Sequence, residues 1–148
     1  FSLLRKVFAE DMEAWREQLL KPTALYVKLV HAALKSGGVH AIAHITGGGM
    51  DNVPRVLPDG LAACLKPWPV PPAFLEVKRR SGMSWNSMLT TLNCGLGMVW
   101  AVDASAIEGL KKIALEHGHH AFDVGDVVRA SGEASWALSD PAWEGVEA

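Results

Sequence analysis

Helical and strand-like patterns alternate along this chain, and that alternation predicts a layered α/β or α+β fold in which helices cover a central sheet. Two further observations agree. The 148 residues are 49% hydrophobic, enough for one sizeable core and one domain. Glycine and proline clusters also cut the apolar runs into pieces of element length.

Leu3, Leu4, Val7 and Phe8 fall at helical spacing with Arg5, Lys6 and Glu10 opposite, so a short helix is expected first. Residues 9–21 read as polar connection. Pro22-Thr23 suits a helix start, Leu25, Leu29, Val30, Ala33 and Leu34 mark one face, and Ser36-Gly37-Gly38 ends it. Val39 to Thr46 is partly β-branched and stopped by glycine, which fits a buried strand. Pro54 and Pro58 prevent a long helix after it. Leu61 to Leu65 reads as a short strand. Lys66 to Pro72 holds four prolines in seven residues and reads as extended loop; its place between structured segments argues against a proline-rich ligand motif. Helices are expected from Pro72 to Arg80 and from Ser84 to about Asn93. A strand over Met98–Val102, a helix over Ala104–Glu116 and a last strand over Ala121–Val128 follow. Residues 129–148, rich in Ser, Ala, Gly and acids with Trp136 and Trp143, read as a tail that docks weakly or continues elsewhere.

The net charge of −2 and pI near 6.3 carry no electrostatic footprint for nucleic acid or an anionic membrane. No apolar run approaches the ~18 residues that span a bilayer, and no charged-then-apolar leader opens the chain. Cys64 and Cys94 make neither a disulfide framework nor a metal knuckle, so two unlinked thiols in a reducing, cytoplasmic setting are expected. The chain opens on Phe1 directly in an amphipathic pattern, and it is expected to be part of a longer protein.

His44-Ile45-Thr46-Gly47-Gly48-Gly49 is the most informative stretch: an apolar strand stops at glycines flanked by polar groups. Converging N–H groups of residues 47–49 would make a nest for a phosphate, and Arg55 would add a charge-assisted contact. The spacing is neither a Walker loop nor a dinucleotide fingerprint. A tight turn that lets a helix pack close is the competing reading of the same glycines. His44 shares a strand face with Thr46 and could orient or protonate a substrate, or simply sit in a polar rim. His40 lies roughly 13 Å from His44 at strand rise, too far for one metal ion. His117, His119 and His120 suit a helix C-terminus better than a metal site, having no acid or cysteine at ligand spacing. Cys94, between Asn93 and Gly95, has no histidine placed near it and reads as a turn-filling thiol. Lys78-Arg79-Arg80 reads as a solvated face.

These residues also carry a resemblance. His44 to Gly49 with Asn52-Val53-Pro54-Arg55-Val56-Leu57-Pro58 resembles the "HITGGG…ENIPRVLP" segment of phosphoribosylformylglycinamidine cyclo-ligases, the aminoimidazole ribonucleotide synthetases of purine biosynthesis. Ser2-Leu3-Leu4-Arg5-Lys6-Val7 is similar to "YSLVRKV", and Leu19 to Thr23 with Tyr26-Val27-Lys28 to "LLxPTRIYVK". Trp68-Pro69-Val70-Pro71-Pro72 with Phe74 resembles "WPVPPIF", and Thr91 with Asn93 to Met98 resembles "RTFNCGIGM". Ala121 to Val127 is similar to the family's closing strand. The matches are collinear over residues 2–127.

The resemblance implies a C-terminal domain over residues 1–128, a three-layer α/β/α sandwich with a central mixed sheet, followed by a tail over 129–148. It implies the substrate-binding half of a ligase that closes the imidazole ring of formylglycinamidine ribonucleotide, with ATP and Mg2+ held mainly on an N-terminal domain. That domain, and a second copy in a homodimer, are the implied protein partners; no metal site is expected on this half. On that reading Thr46, Gly47, Gly48, Gly49, Asn52 and Arg55 hold the phosphoribosyl end. His44 and Asn93 orient the reacting groups, and Gly95 and Gly97 keep the second wall close.

The chain also departs from the family pattern. Only Met50 separates the glycines from Asp51-Asn52, so the loop is one residue shorter and its acid is Asp rather than Glu. Lys21 stands where an acid is usual, Ala24 and Thr90 where arginine is, Ser87 where glutamate is and Leu92 where phenylalanine is. These changes leave two other readings: a non-catalytic binding module of the same fold, or a relative resembling formylglycinamidine ribonucleotide synthetase.

Overall fold

A computed structural model describes residues 2–139 and 143. The elements run α1 (Ser2–Val7), α2 (Arg16–Leu19), α3 (Val27–Ser36), β1 (Val39–His44), β2 (Leu61–Leu65), α4 (Pro72–Ser81), α5 (Trp85–Thr91), β3 (Met98–Val102), α6 (Ile107–Glu116), β4 (Gly125–Arg129) and β5 (Ser135–Leu138). Short 3-10 turns occupy Gly49–Asn52, Pro54–Val56 and Ala104–Ala106. The class is the mixed α/β one that the alternating pattern predicts. Among the described residues the strands form two sheets: β1 pairs antiparallel with β3, and β2 lies between antiparallel β4 and parallel β5.

Local chemistry sets most boundaries. Pro72 occupies the first turn of α4, where its missing N–H costs nothing, and Gly82 at φ 68° closes the helix by donating to Lys78 O at 3.0 Å. Ser84 caps α5, its Oγ accepting from Ser87 N at 3.2 Å. The α3 helix buries Leu29 and Ala33 and packs on α6, which buries Leu110 and Ala114. In β1 the alternation is of period two: Ala43 and then Ile45 enter the core, whereas His44 and Thr46 are exposed.

Several boundaries differ from the sequence pattern. The third helix starts at Val27, not Pro22: residues 21–26 take no regular secondary structure, and Leu25, expected on its buried face, is 86% exposed. Residues 9–21 include α2, a helix of four residues, too short for a periodicity to register. The last predicted strand begins at Gly125 rather than Ala121. At φ 145° that glycine lies flat on the Cys64 carbonyl, where a side chain would collide, and pairing with β2 starts there. The proline-rich run is the loop expected, and it sends Trp68 and Val70 into the core while Pro69 and Pro72 stay exposed. The weak-tail reading of 129–148 is corrected in its described part: Ser135–Leu138 forms β5 in register with Ala62–Leu65, and Trp143 is 1% exposed.

Lys78-Arg79-Arg80 is likewise more than a solvated face. Lys78 Nζ lies 5.4 Å from the Trp85 ring centre. Arg80 grips Asp11 through both terminal nitrogens at 2.7 and 2.5 Å, reaches Glu76 Oε1 with Nε, and covers the Phe8 ring at 5.1 Å. This clamp ties the residues after α1 to α4. Arg79 and Arg80 beside Glu76 hold its carboxyl down at about 2, and Arg80 lowers Asp11. Folded-state values below the unfolded ones mean that the clamp stabilises fully above about pH 4.5 and is lost as pH falls toward 2. Acid titration followed by tryptophan fluorescence is expected to show loosening in that window, and Asp11→Asn to flatten it.

Candidate functional site

Antiparallel pairing builds the site. His44 at the end of β1 lies opposite Met98 at the start of β3, and Ile45 N donates to Gly97 O at 2.9 Å. The turn that leaves β1 and the turn that enters β3 therefore share one end of the two-stranded sheet. Periodicity locates both turns, but only the register brings them together.

In the first turn Gly48 (φ 91°) and Gly49 (φ 51°) take left-handed conformations that favour glycine. The roles of the three glycines differ. A Cβ on Gly49 would run into the Leu89 carbonyl oxygen and lie 2.6 Å from that of Leu92, so this residue lets the turn pack on the end of α5. Around Gly47 there is open space, and it is exposed. Gly49 N donates to Thr46 O at 3.1 Å, whereas the N–H groups of Gly47 and Gly48 have no acceptor among the described residues. The packing role thus falls to Gly49, while Gly47 and Gly48 keep N–H groups without an acceptor among the described residues.

Asn52 builds this turn from within. It is 7% exposed, and its Nδ2 donates to Gly49 O at 2.8 Å and Gly47 O at 3.3 Å. Its Oδ1 accepts from Arg55 Nη1 at 3.2 Å. With both ends of the amide occupied, Asn52 holds the turn from within. Arg55 is exposed, and its remaining guanidinium donors have no acceptor among the described residues. Asp51, the acid of the shortened loop, accepts from the Trp136 indole at 2.7 Å.

In the second turn Asn93 Oδ1 accepts from Gly95 N at 3.3 Å, and Cys94 holds φ 45°. Gly95 is pressed against Pro71, whose Cγ would lie 2.7 Å from a Cβ there. Gly97 faces the phenol end of Tyr26, which would have to move aside for a side chain there. Trp68 Nε1 donates to Cys94 O at 3.0 Å, fixing the turn to the core. Burial alone pushes the Cys94 thiol up to about 12, so it is no nucleophile at neutral pH. Both thiols are unlinked. Thiol titration of the native chain is expected to modify Cys64 while sparing Cys94, with both reacting in urea.

Tyr26 is the site residue that pattern reading missed. The chain's single tyrosine is edge-on to His44 with ring centres 6.4 Å apart, and it lies 5.0 Å from His119. Burial raises its phenol above the ordinary value. Its only signal was its place in the Tyr26-Val27-Lys28 motif. His119 therefore belongs to the rim, while His117 Nδ1 pairs with Ile113 O at 2.9 Å at the end of α6. His40 pairs with Asp103 at 2.8 Å. Thr90, where the resemblance expects arginine, turns its hydroxyl back to Asn86 O and Ser87 O, both at 3.1 Å. Among the described residues no group of three or more His, Cys, Asp and Glu is placed to hold a metal ion, and no helix is long and apolar enough to cross a membrane.

The chain matches the family model described as AIR synthase related protein, C-terminal domain, over residues 1–137. It is similar to proteins named phosphoribosylformylglycinamidine cyclo-ligase. That of Bacillus subtilis (strain 168) is 37% identical over 147 residues, covering 89% of this chain and 42% of that protein. That of Gloeobacter violaceus is 45% identical over the same length, covering 89% and 43%. The chain spans less than half the length of these relatives. Their agreement with the family model, which extends over both glycine turns and into β5, establishes that this chain belongs to the family of AIR synthase related C-terminal domains.

Proposed function

We propose that this chain is the C-terminal, substrate-binding half of an ATP-dependent cyclo-ligase that converts formylglycinamidine ribonucleotide to aminoimidazole ribonucleotide in de novo purine biosynthesis. The observation that carries this reading is the meeting of the two glycine turns at one end of the β1–β3 pair, in a chain whose relatives are named for that chemistry. The N–H groups of Gly47 and Gly48, the Thr46 hydroxyl and the Arg55 guanidinium take the nucleotide's phosphate; Asn52 keeps the turn in shape. His44 and Asn93 orient the formyl amide and the amidine, and Gly95 and Gly97, which let Pro71 and Tyr26 pack against the turn, keep the second wall close. A phosphoryl group passes from ATP to the formyl amide oxygen with release of ADP; the amidine nitrogen then attacks the formyl carbon, giving up its proton as phosphate departs, and Mg2+ would serve to neutralise the triphosphate. Nucleotide triphosphate and metal are assigned to an N-terminal half, with which this chain shares the cleft in a cytoplasmic homodimer.

The complete protein is expected to turn over formylglycinamidine ribonucleotide with ATP, and Arg55→Ala to raise KM for that nucleotide about tenfold, the effect of one charge-assisted hydrogen bond. Absence of turnover by the complete protein would contradict the proposal and favour a non-catalytic module, the reading suggested by the shortened loop.

A further inference from the structure

We propose that Trp136 and Trp143 are positioning residues for the two glycine turns, so that the C-terminal segment serves as a clasp on the site. This rests on reading those turns as the nucleotide-binding wall. Trp136 is held by the parallel pairing of β5 with β2, where it lies opposite Ala63. From that fixed strand its indole donates to Asp51 Oδ1 at 2.7 Å. Asp51 is in the 3-10 turn that begins at Gly49, and its N–H bonds Gly48 O at 3.0 Å. One side-chain bond therefore connects the end of the chain to the nest.

Trp143 reaches the other turn by a separate route. Its ring stands edge-on to Trp68 with centres 4.7 Å apart, and Trp68 donates to Cys94 O inside the second turn. The indole of Trp143 also reaches Leu65 O at 3.4 Å, on the strand that carries β5. The Asp that stands in the shortened loop is thereby anchored through a partner 85 residues away in sequence.

The test uses Trp136→Phe, which keeps an aromatic ring and removes the N–H donor, with Asp51→Ala and the double variant. In amide NMR of the 148-residue chain, each single change is expected to displace the Gly47 and Gly48 resonances, and the double variant to go no further than either. In the complete protein, Trp136→Phe is expected to raise KM for formylglycinamidine ribonucleotide about three- to tenfold with kcat within about twofold, the scale of one lost hydrogen bond. Trp143→Phe, which preserves ring packing, is expected to leave the Cys94 and Gly95 amides nearly in place, whereas Trp143→Leu moves them. Unmoved Gly47 and Gly48 amides in Trp136→Phe, or single-variant effects that simply add in the double variant, would overturn the proposal. If the wild-type protein fails to turn over the nucleotide, the functional reading falls and the amide shifts alone decide the clasp.

Discussion

Gly49→Ala is expected to destabilise the chain by about 2–5 kcal/mol, combining a left-handed backbone that disfavours Cβ with overpacking against rigid atoms. The obstructing groups are the carbonyls of Leu89 and Leu92 at the end of α5, backbone atoms that cannot swing aside. Relief requires moving the turn or the helix, and either motion disturbs Asn52, whose amide spans Gly47 O and Gly49 O. Gly47→Ala is the matched control, because that position has nothing within 4 Å of a new methyl. Urea unfolding of the two variants should separate them by more than about 2 kcal/mol, far outside ordinary surface effects. Equal stabilities would mean that the turn does not pack on α5 as described.

Trp143→Ala is expected to cost about 3–5 kcal/mol, the usual range for truncating a large aromatic in a core. At 1% exposure the ring fills the space between Trp68 and Trp85, with centres 4.7 and 5.2 Å away. Those neighbours come from the proline-rich run and from α5, so no single shift closes the gap. Chemical denaturation measures the loss, and a cost below about 1 kcal/mol would place Trp143 at the surface.

The sequence made local features legible and long-range partners opaque. Strands β1, β2 and β3 carry apolar runs bounded by glycine, proline or acid, and α4 and α5 announce their starts with Pro72 and Ser84. Each of those signals acts within a few residues. The C-terminal segment failed for the opposite reason: Ser, Ala and Gly look solvated, and Trp136 acquires its place only by pairing with β2, more than seventy residues earlier. The glycines were half legible. Their freedom at positive φ is intrinsic, but what forbids a side chain at Gly49 is a helix end forty residues later. Asn52 shows the same limit. An exposed asparagine and a buried latch are identical in sequence, and the choice depended on the direction of the turn. Arg80 belongs here too, since a basic run reads as solvated until Asp11 and Glu76 are placed beside it. The resemblance led to the expectation that both glycine turns line one site, and the β1–β3 register brings them to one end of the sheet.

Kinetics of Gly47→Ala in the complete protein test that site most directly. The methyl group enters open space, so the fold should persist, yet it stands where a phosphate would approach the N–H groups of Gly47 and Gly48. KM for formylglycinamidine ribonucleotide is predicted to rise about tenfold or more while KM for ATP stays within about twofold, because the proposed function puts the ribonucleotide's phosphate, and not ATP, at this turn. An unchanged KM for the ribonucleotide, in a variant of native stability, would contradict the account.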